Sequence, residues 1–275
     1  MHWSKRVVVW LEGLSRRPAG RPLAGLVASL AKSAATGQSH WCTYNRRGYW
    51  VNKQRRATFF SPTLHTATIG PLTGQVDDFW CYGLSVGSGA TVVDVGAGIG
   101  DHVLVFSRRV KPSGRVIAIE AHPETANCLK LTVAHNQLDN TVVFDEAAWD
   151  RDETLRISDE PGHERNAVEK TGGGISIRAR RVDDMLAPLG LQTIDLLKMN
   201  IEGAEVTALS GMPETLARTQ AVVISCHDFL ASGPDDSRRT KTRVMKFLGE
   251  AGFSVLTRPD APLDFLRDYV YGRRR

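Results

Sequence analysis

The stretch TVVDVGAGIGDH, residues 91–102, decides the fold that the sequence predicts. Its first five residues are rich in β-branched side chains and too few for a helix, which is typical of a strand buried on both faces of a parallel sheet. Gly96, Gly98 and Gly100 follow at two-residue spacing, and a helical run begins at His102. This order predicts a nucleotide-binding turn, because the missing Cβ atoms let the backbone approach a ligand and the helix start offers free N–H donors.

Two further features distinguish this turn from other glycine-rich turns. A dinucleotide-binding fingerprint has a glycine where this sequence has Asp101, so an NAD-dependent dehydrogenase is disfavoured. The run RVIAIE at residues 115–120 predicts a second buried strand that ends in Glu120, about 20 residues beyond the glycines, where a carboxylate can accept hydrogen bonds from both ribose hydroxyls. A tight turn of an ordinary α/β domain is the alternative, and it leaves the position of Glu120 unexplained. With Asp94 before it, GAGIG resembles the first motif of S-adenosylmethionine (SAM) methyltransferases, where Asp94 would act through water or hold the turn open.

The charge of the chain is unevenly distributed. Residues 1–80 hold eleven Lys/Arg and three Asp/Glu, a local charge of +8, which leaves −3 for the rest of a 275-residue chain whose formal charge is +5. This length predicts one large domain, or one domain with a small attachment. We therefore divide the chain into a basic N-terminal extension, residues 1–80, and a larger domain, residues 81–275.

Cysteine spacing and hydropathy predict the location of the protein. The four cysteines are widely scattered, without metal or redox spacing: Cys42, Cys81, Cys128 and Cys226. This pattern favours reduced thiols in a cytoplasmic protein. The apolar run at residues 7–11 is far too short for a signal peptide, and no window approaches the about 18 apolar residues of a membrane span. We expect a cytoplasmic protein with no transmembrane segment.

Two amphipathic helices are predicted in the extension, at residues 5–14 and 22–35, on either side of the linker RRPAGRP. Trp3, Trp10 and the neighbouring cations suit peripheral contact with a membrane, or a lid over the active site. The alternative is that both helices pack on the core and expose a solvated basic face.

An aromatic and basic segment, residues 40–60, follows the helices and predicts a hairpin that turns at Arg47-Gly48. Interleaved rings and cations are typical of nucleic-acid binding, and they also stack on sugars and pair with phosphates. A plain surface hairpin with solvated arginines is the alternative. Residues 63–80 lead into the core, and we expect a helix to begin at Asp77 and Asp78.

The larger domain alternates predicted strands and helices, which indicates an α/β fold. After the two strands above, further strands are expected at residues 141–144, 194–199, 221–225, 253–256 and 265–271, and helices at 102–110, 123–136, 182–186, 204–210 and 239–249. We therefore predict a mostly parallel seven-stranded sheet with helices on both faces. Residues 152–174 predict an excursion between strands 154–157 and 175–181, which either closes over substrate or is a plain surface hairpin. Residues 273–275 are expected to be a solvated tail.

Four motifs together resemble the FkbM family of SAM-dependent methyltransferases: DVGAGIGDH, IEAHP, VDDML and IDLLKMNIEGAE. The resemblance covers roughly residues 70–270, and the last motif is the most distinctive. The family typically has Asp where this sequence has Asn200, while Glu202 and Glu205 are retained. Membership implies a Rossmann-like class I methyltransferase fold and O-methylation of a hydroxyl, often on a sugar, a glycolipid or a polyketide.

The expected site follows from the strand ends, because ligands of open α/β sheets bind at that edge. Asp145, Glu146 and Ala147 follow the third strand, where adenine is expected by position. The candidate cofactor-binding residues are Asp94, Gly96, Ala97, Gly98, Gly100, His102, Glu120, Ala121, Asp145, Glu146, Ala147 and Asn200.

The candidate catalytic residues are His227, Glu202, Asn200 and Asp228. His227 follows the fifth strand and is expected to face Glu202, and a histidine is a suitable base for a hydroxyl near neutral pH. Asp228 would orient the ring, Glu202 is the next candidate base, and Asn200 would hydrogen-bond the cofactor or the acceptor. A capping or core histidine without chemistry is the alternative for His227.

Several alternatives stay open at this stage. Asn200, Glu202, His227 and Asp228 also offer ligands for Mg²⁺, which would lower the pKa of the acceptor hydroxyl. Methylation of RNA would explain the basic front, although the core is not basic and nucleic acid is the less favoured partner. A non-catalytic SAM-binding scaffold would explain Asn200. The favoured acceptor is a small molecule, an oligosaccharide or a glycolipid, and a homo-oligomer is possible.

Overall fold

Two helices and a three-stranded antiparallel sheet open the part of the chain that the computed structural model describes, residues 5–158, 174–231, 233 and 239–275. These elements are α1 (Lys5–Arg16), α2 (Arg21–Thr36), β1 (His40–Tyr44), β2 (Trp50–Gln54) and β3 (Ala57–Ser61). β1 and β2 form the predicted hairpin. Its turn is held by Asn45 Oδ1, which accepts hydrogen bonds from the amides of Arg47 and Tyr49.

The larger part of the chain alternates strands and helices, as predicted. Its elements, in chain order, are α3 (Ile69–Gln75), β4 (Thr91–Val95), α4 (Asp101–Val110), β5 (Arg115–Ile119), α5 (Pro123–His135), β6 (Thr141–Phe144), β7 (Ala147–Trp149), β8 (Glu153–Ile157), β9 (Ile175–Arg181), α6 (Val182–Leu186), β10 (Ile194–Met199), α7 (Glu205–Ser210), α8 (Pro213–Ala217), β11 (Thr219–Ser225), α9 (Lys241–Glu250), β12 (Phe253–Thr257) and β13 (Tyr269–Arg274).

The central sheet has seven strands in the order β12-β13-β11-β10-β4-β5-β6. β13 runs antiparallel to both of its neighbours, and the pairs from β11 to β6 are all parallel. Alternate residues of one strand face opposite sides, so Val92 belongs to a core with α3 and α4, and Val93 to a core with α7, α8 and α9. The predicted Rossmann-like α/β fold, with a mostly parallel seven-stranded sheet between helices, is confirmed.

The N-terminal extension is bonded to the larger domain through β3 and α5. The amide of Thr58 donates to Asn136 Oδ1 (3.0 Å), and the amide of Phe60 donates to Thr132 Oγ1 (3.2 Å). Phe59 is fully buried in the same core as Val92. The division of the chain at residue 80 stays a prediction.

The structure corrects three predictions about local structure. Asp77 and Asp78 do not begin a helix, because they lie in a π-helical turn (Val76–Trp80) that continues α3. The last strand does not begin at residue 265, because Asp264–Asp268 is a 3₁₀ turn whose Leu266 is buried. The predicted solvated tail is wrong for Arg274, although Arg273 and Arg275 are exposed. The Arg274 guanidinium lies 4.1 Å from the Phe253 ring centre and donates to the Ala251 and Thr219 carbonyls.

A third sheet, of three strands, is formed by β7, β8 and β9. Its order is β7-β9-β8, with β8 and β9 antiparallel, which agrees with the two strands predicted around residues 152–174. The predicted excursion itself, residues 159–173, lies outside the described residues. Within the described part of the chain, no helix is both long enough and apolar enough to cross a membrane.

Candidate active site

A cavity of about 620 Å³ opens at the carboxyl ends of β4, β5, β10 and β11. This is the edge at which ligands of open α/β sheets bind. Predicted site residues that line it are Gly96, Ala97, Gly98, His102, Glu120, Ala121, Glu146, Ala147, Asn200, Glu202 and His227. The fold thus brings into one site residues that follow four different strands and that span more than one hundred positions of the sequence.

The three glycines after β4 are required by the backbone and by the space around them. Gly96, Gly98 and Gly100 have φ angles of +76°, +57° and +87°, in the left-handed region that favours glycine. A Cβ atom on Gly96 would lie 2.0 Å from the carbonyl oxygen of Asn200, and one on Gly100 would lie 2.6 Å from Leu129 Cδ1. Gly96 and Gly98 line the cavity, and the missing Cβ of Gly96 also lets the end of β10 approach, whereas Gly100 gives room to α5.

The Glu120 carboxylate ties the glycine turn to the end of β5. Its Oε2 accepts a hydrogen bond from the amide of Gly98 (2.8 Å), and its Oε1 accepts one from the amide of His122 (3.0 Å). Each carboxylate oxygen has two lone-pair sites, so an oxygen that accepts one hydrogen bond can accept a second one. Glu120 lines the cavity, so its position is compatible with the predicted contact to a ribose.

Asp94 supports the site from beneath the cavity wall. Its carboxylate is completely buried and lies 2.6 Å from the Lys198 Nζ, itself 2% exposed. Lys198 Nζ also donates to the Gly96 carbonyl (2.9 Å) and lies 4.7 Å from the centre of the Trp80 ring. Burial raises the pKa of Asp94, against the opposing effect of the Lys198 ammonium. Asp94 therefore acts on the turn through Lys198, a residue that the sequence analysis did not identify.

His102 lies at the start of α4 and lines the cavity. Its Nε2 is 3.1 Å from Gln75 Oε1 on α3, and its Nδ1 is 3.8 Å from the Asp101 carboxylate. Burial lowers the pKa of His102, and the Asp101 charge opposes that shift. The ring consequently favours its neutral form and connects α3 to the cavity.

The predicted adenine-side residues fall into two groups. Glu146 and Ala147 line the cavity, and the Glu146 carboxylate pairs with Arg178 (3.2 Å) and Arg180 (3.1 Å) of β9. Asp145 lies outside the cavity, exposed and 2.6 Å from the Lys130 Nζ. The hydrogen bond from Lys130 lowers the pKa of Asp145. A cofactor contact through the Asp145 side chain is therefore not supported by the geometry.

His227 reaches the cavity from the end of β11, and its ring is held by Glu205. His227 Nδ1 lies 2.9 Å from Glu205 Oε1, while Glu205 is fully buried in the first turn of α7. An ionised carboxylate only accepts, so this contact places the proton on Nδ1 and leaves the lone pair on Nε2. Glu205, the second acid of the EGAE motif, therefore holds the ring in place of the predicted Asp228.

Asp228 performs a different task in the structure. Its Oδ1 accepts hydrogen bonds from the amides of Thr240 (2.8 Å) and Lys241 (3.0 Å), which begin α9. Its carboxylate is therefore committed to the start of a helix, and it is not part of the cavity wall. The predicted Asp228–His227 pairing is therefore not supported. The Mg²⁺ set is not supported either, because the described residues contain no group of three or more His, Cys, Asp or Glu side chains able to hold a metal ion.

Residues 94–255 match the family described as "Methyltransferase FkbM domain". The match covers more than half of the chain and includes the glycine turn, Glu120, Asn200 and His227. The chain belongs to the FkbM methyltransferase family. Asn200, where the family typically has Asp, lines the cavity at the end of β10.

Characterised relatives of this FkbM methyltransferase match over different lengths. The 2-O-methyltransferase NoeI of Sinorhizobium fredii is 39% identical over 56 residues, which are 20% of this chain and 23% of NoeI. The AMB antimetabolite synthetase AmbE of Pseudomonas aeruginosa is 35% identical over 88 residues, 32% of this chain and 4% of AmbE. The hexuronic acid methyltransferase AglP of Haloferax volcanii is 27% identical over 191 residues, 66% of this chain and 70% of AglP. The chain thus spans less than a quarter of NoeI and of AmbE.

Two solved structures resemble this FkbM methyltransferase at low identity. An FkbM methyltransferase from Methylobacillus flagellatus KT is 19% identical, with a TM-score of 0.49 over 70% of this chain and 45% of that one. Cofactor-bound Rv0187 from MTB is 14% identical, with a TM-score of 0.49 over 100% of this chain and 99% of that one.

Proposed function

We propose that this FkbM methyltransferase uses SAM to methylate a hydroxyl group of a sugar, an oligosaccharide or a glycolipid. One observation carries the proposal: a single cavity is lined by the Gly96–Gly98 turn with Glu120 and by His227, whose ring is held by Glu205. The first set suits a nucleoside cofactor, and the second set suits the removal of a proton from an acceptor.

The residues of the turn fit SAM. The backbone of Gly96 and Gly98 forms a surface without Cβ atoms, against which the methionyl part and the ribose would lie. Glu120 would accept from the ribose hydroxyls, and Ala147 would lie beside the adenine. When bound, SAM supplies an electrophilic methyl group.

His227 would take the proton from the acceptor hydroxyl at Nε2. Glu205 would hold the ring in the tautomer that leaves Nε2 free to accept, and its buried carboxylate would stabilise the imidazolium that forms. Asn200 and Glu202 line the same cavity and would hydrogen-bond the acceptor, with Glu202 as the second candidate base. The chain would otherwise act by alignment, since bringing oxygen and methyl into line supplies a large part of such a rate.

The acceptor class is supported by two relatives. NoeI is a 2-O-methyltransferase, and AglP is a hexuronic acid methyltransferase. Both act on oxygen-bearing acceptors according to their names, and AglP acts on a sugar acid. A hydroxyl of a sugar or of a sugar-bearing lipid is therefore the acceptor that we propose.

The test uses labelled SAM with a panel of hexoses, hexuronic acids and glycolipids, followed by mass spectrometry of the products. We expect a methyl ether, which survives mild alkali. A methyl ester, which alkali removes, would refute hydroxyl transfer while leaving methyl transfer intact. Glu120→Gln should weaken binding of S-adenosylhomocysteine by about 1–3 kcal/mol in calorimetry. His227→Ala should lower kcat by roughly 100-fold with unchanged S-adenosylhomocysteine affinity.

We also propose that the protein works in the cytoplasm. All four cysteines are free thiols, and all four are buried. Free thiols are typical of a reducing compartment, which supports this location.

A further inference from the structure

Helix α2 carries its apolar stripe on the side that faces away from the protein. Leu23, Leu26 and Leu30, at the i, i+3, i+7 spacing of one helix face, are 49%, 54% and 63% exposed. The buried residues of the same helix are small and lie on the opposite side: Ala24, Gly25, Ala28 and Ser29. A helix packed on a core normally shows the reverse arrangement.

The way in which α2 meets β1 explains why its buried side is made of small residues. Ser29 Oγ accepts a hydrogen bond from the amide of Cys42 (2.8 Å), and Ser33 Oγ accepts one from the amide of His40 (3.0 Å). The helix thereby covers the β1 edge of the β1-β2-β3 sheet, which is a common protection for an edge strand. A Cβ atom on Gly25 would lie 2.4 Å from the Cys42 carbonyl oxygen. The backbones are so close that large apolar residues fit only on the outer side.

Other large apolar side chains are exposed on the two elements that pack against α2. Trp10 on α1 is 52% exposed and Trp41 on β1 is 62% exposed, and both elements pack against α2. We call the apolar ridge the set Val9, Trp10, Leu23, Leu26, Leu30 and Trp41, which supplies half of the large hydrophobic side chains that are exposed in the described part of the chain. Exposed apolar residues concentrated in this way mark an interaction surface.

Exposed cations lie on the elements that carry the apolar ridge and on the neighbouring strand β2. Lys53 on β2 is the cross-strand partner of Trp41 on β1. Both side chains therefore lie on the same face of the β1-β2-β3 sheet, and both are exposed. Arg16 and Arg17 are exposed at the end of α1. Residues 5–76 contain eleven Lys/Arg, and Glu12 is their one acidic residue. The segment of sequence that carries the ridge is therefore strongly positive and contains little acidic compensation.

We propose that the apolar ridge and its cations dock on an anionic lipid bilayer. Leucine and tryptophan side chains flanked by Lys/Arg are the composition that inserts into the headgroup region of a membrane, and the cations attract anionic lipids. A second copy of the chain would bring the same positive surfaces together, which disfavours self-association. Nucleic acid would use stacked rings, whereas four of the six ridge side chains, Val9, Leu23, Leu26 and Leu30, are aliphatic. The proposal does not depend on the methyl-transfer reaction.

The test is sedimentation of the full chain with vesicles of phosphatidylcholine alone or of an equal mixture with phosphatidylglycerol. We expect binding to the mixed vesicles that weakens as salt is added. The triple variant Leu23→Ser/Leu26→Ser/Leu30→Ser should bind the mixed vesicles at least about tenfold more weakly. The double variant Arg16→Gln/Arg17→Gln should bind them about tenfold more weakly at low salt. Leu256→Ser, which alters an exposed leucine of β12, is the matched control and should bind like the unmodified chain.

Circular dichroism and thermal melting of each variant establish that it folds, and analytical ultracentrifugation measures the oligomeric state. A chain that stays in solution with both vesicle types overturns the proposal. So does a folded triple variant that binds the mixed vesicles as well as the unmodified chain does. A dimer that the triple substitution dissociates would assign the ridge to a second copy instead, and salt-sensitive binding of RNA without vesicle binding would assign the surface to nucleic acid.

Discussion

Glu205 contacts the ring of His227, the proposed base, without itself lining the cavity. Its carboxylate is fully buried, and Oε1 contacts His227 Nδ1 at 2.9 Å, while Oε2 is among the buried polar atoms for which the described residues supply no hydrogen-bond partner. A buried carboxylate of this kind is costly to keep, which argues for a positioning role.

Glu205→Gln should therefore lower kcat by roughly tenfold or more with little change in KM. The amide keeps the size and the acceptor oxygen but loses the charge that stabilises an imidazolium. Steady-state kinetics and calorimetry with S-adenosylhomocysteine measure the two effects separately. Glu250→Gln, at an exposed position of α9, is the control. A Glu205→Gln enzyme with normal kcat would remove Glu205 from the mechanism.

His102 should make stability depend on pH. Burial lowers the pKa of His102 in the folded protein, whereas the unfolded ring keeps the ordinary value of 6.5. As pH falls below about 6.5, the unfolded chain takes up this proton first, so the free energy of unfolding decreases. Urea denaturation at pH 7.5 and at pH 5.5 should show a smaller loss of stability for His102→Gln than for the unmodified protein. Equal losses would contradict the lowered pKa.

At the scale of elements, the glycine turn and the end of β10 share one confined space. Gly96→Ala combines a left-handed φ with a Cβ placed 2.0 Å from the Asn200 carbonyl oxygen. We expect it to lower the free energy of unfolding by about 2–4 kcal/mol and to abolish S-adenosylhomocysteine binding. Gly89→Ala has a similar φ of +85° but meets no atom closer than 4.0 Å, and it should lose only about 1–2 kcal/mol. Equal losses in denaturation experiments would show that the close approach is unimportant.

The start of α9 gives a second prediction at this scale. Asp228→Ala removes the acceptor for two amides and should lower the free energy of unfolding by about 1–2 kcal/mol, with kcat nearly unchanged. Asp228→Asn keeps an acceptor oxygen and should recover most of that stability in urea denaturation. If Asp228 has the catalytic role suggested by the sequence, both variants lose kcat, and the amide restores nothing.

Elements with strong local patterns could be predicted from the sequence, and those decided by distant contacts could not. The β-branched runs and glycines of residues 91–102 and 115–120 predict strands, turn and site edge, because the signal is contained in each segment. Glu205 rather than Asp228 orients His227 because a helix start 22 residues away in sequence is its neighbour in space. The exposure of the leucine stripe of α2 could not be predicted either, because sequence periodicity identifies an apolar face of a helix but not whether that face points to the core or to solvent.

At the scale of the whole molecule, all four cysteine side chains are buried, although they lie in different parts of the fold. Burial raises the pKa of Cys42 and of Cys81 to about 11 and that of Cys128 to about 12, and it also raises the pKa of Cys226. Thiolate is the reactive form, so the folded chain should react with Ellman's reagent at pH 8 far more slowly than the chain in urea, where all four thiols react. Fast reaction of one thiol in the folded chain would show that the structure around that thiol opens locally.

The position of β13 determines the order in which the sheet can be completed during synthesis. β12 is joined to the sheet through β13, although it precedes β13 in the chain. A nascent chain that has reached Thr257 therefore carries β12 without a partner and leaves the β11 edge open. The ribosome must release residues 269–274 before this side closes, so chaperones that shield exposed strand edges would meet the protein at that stage.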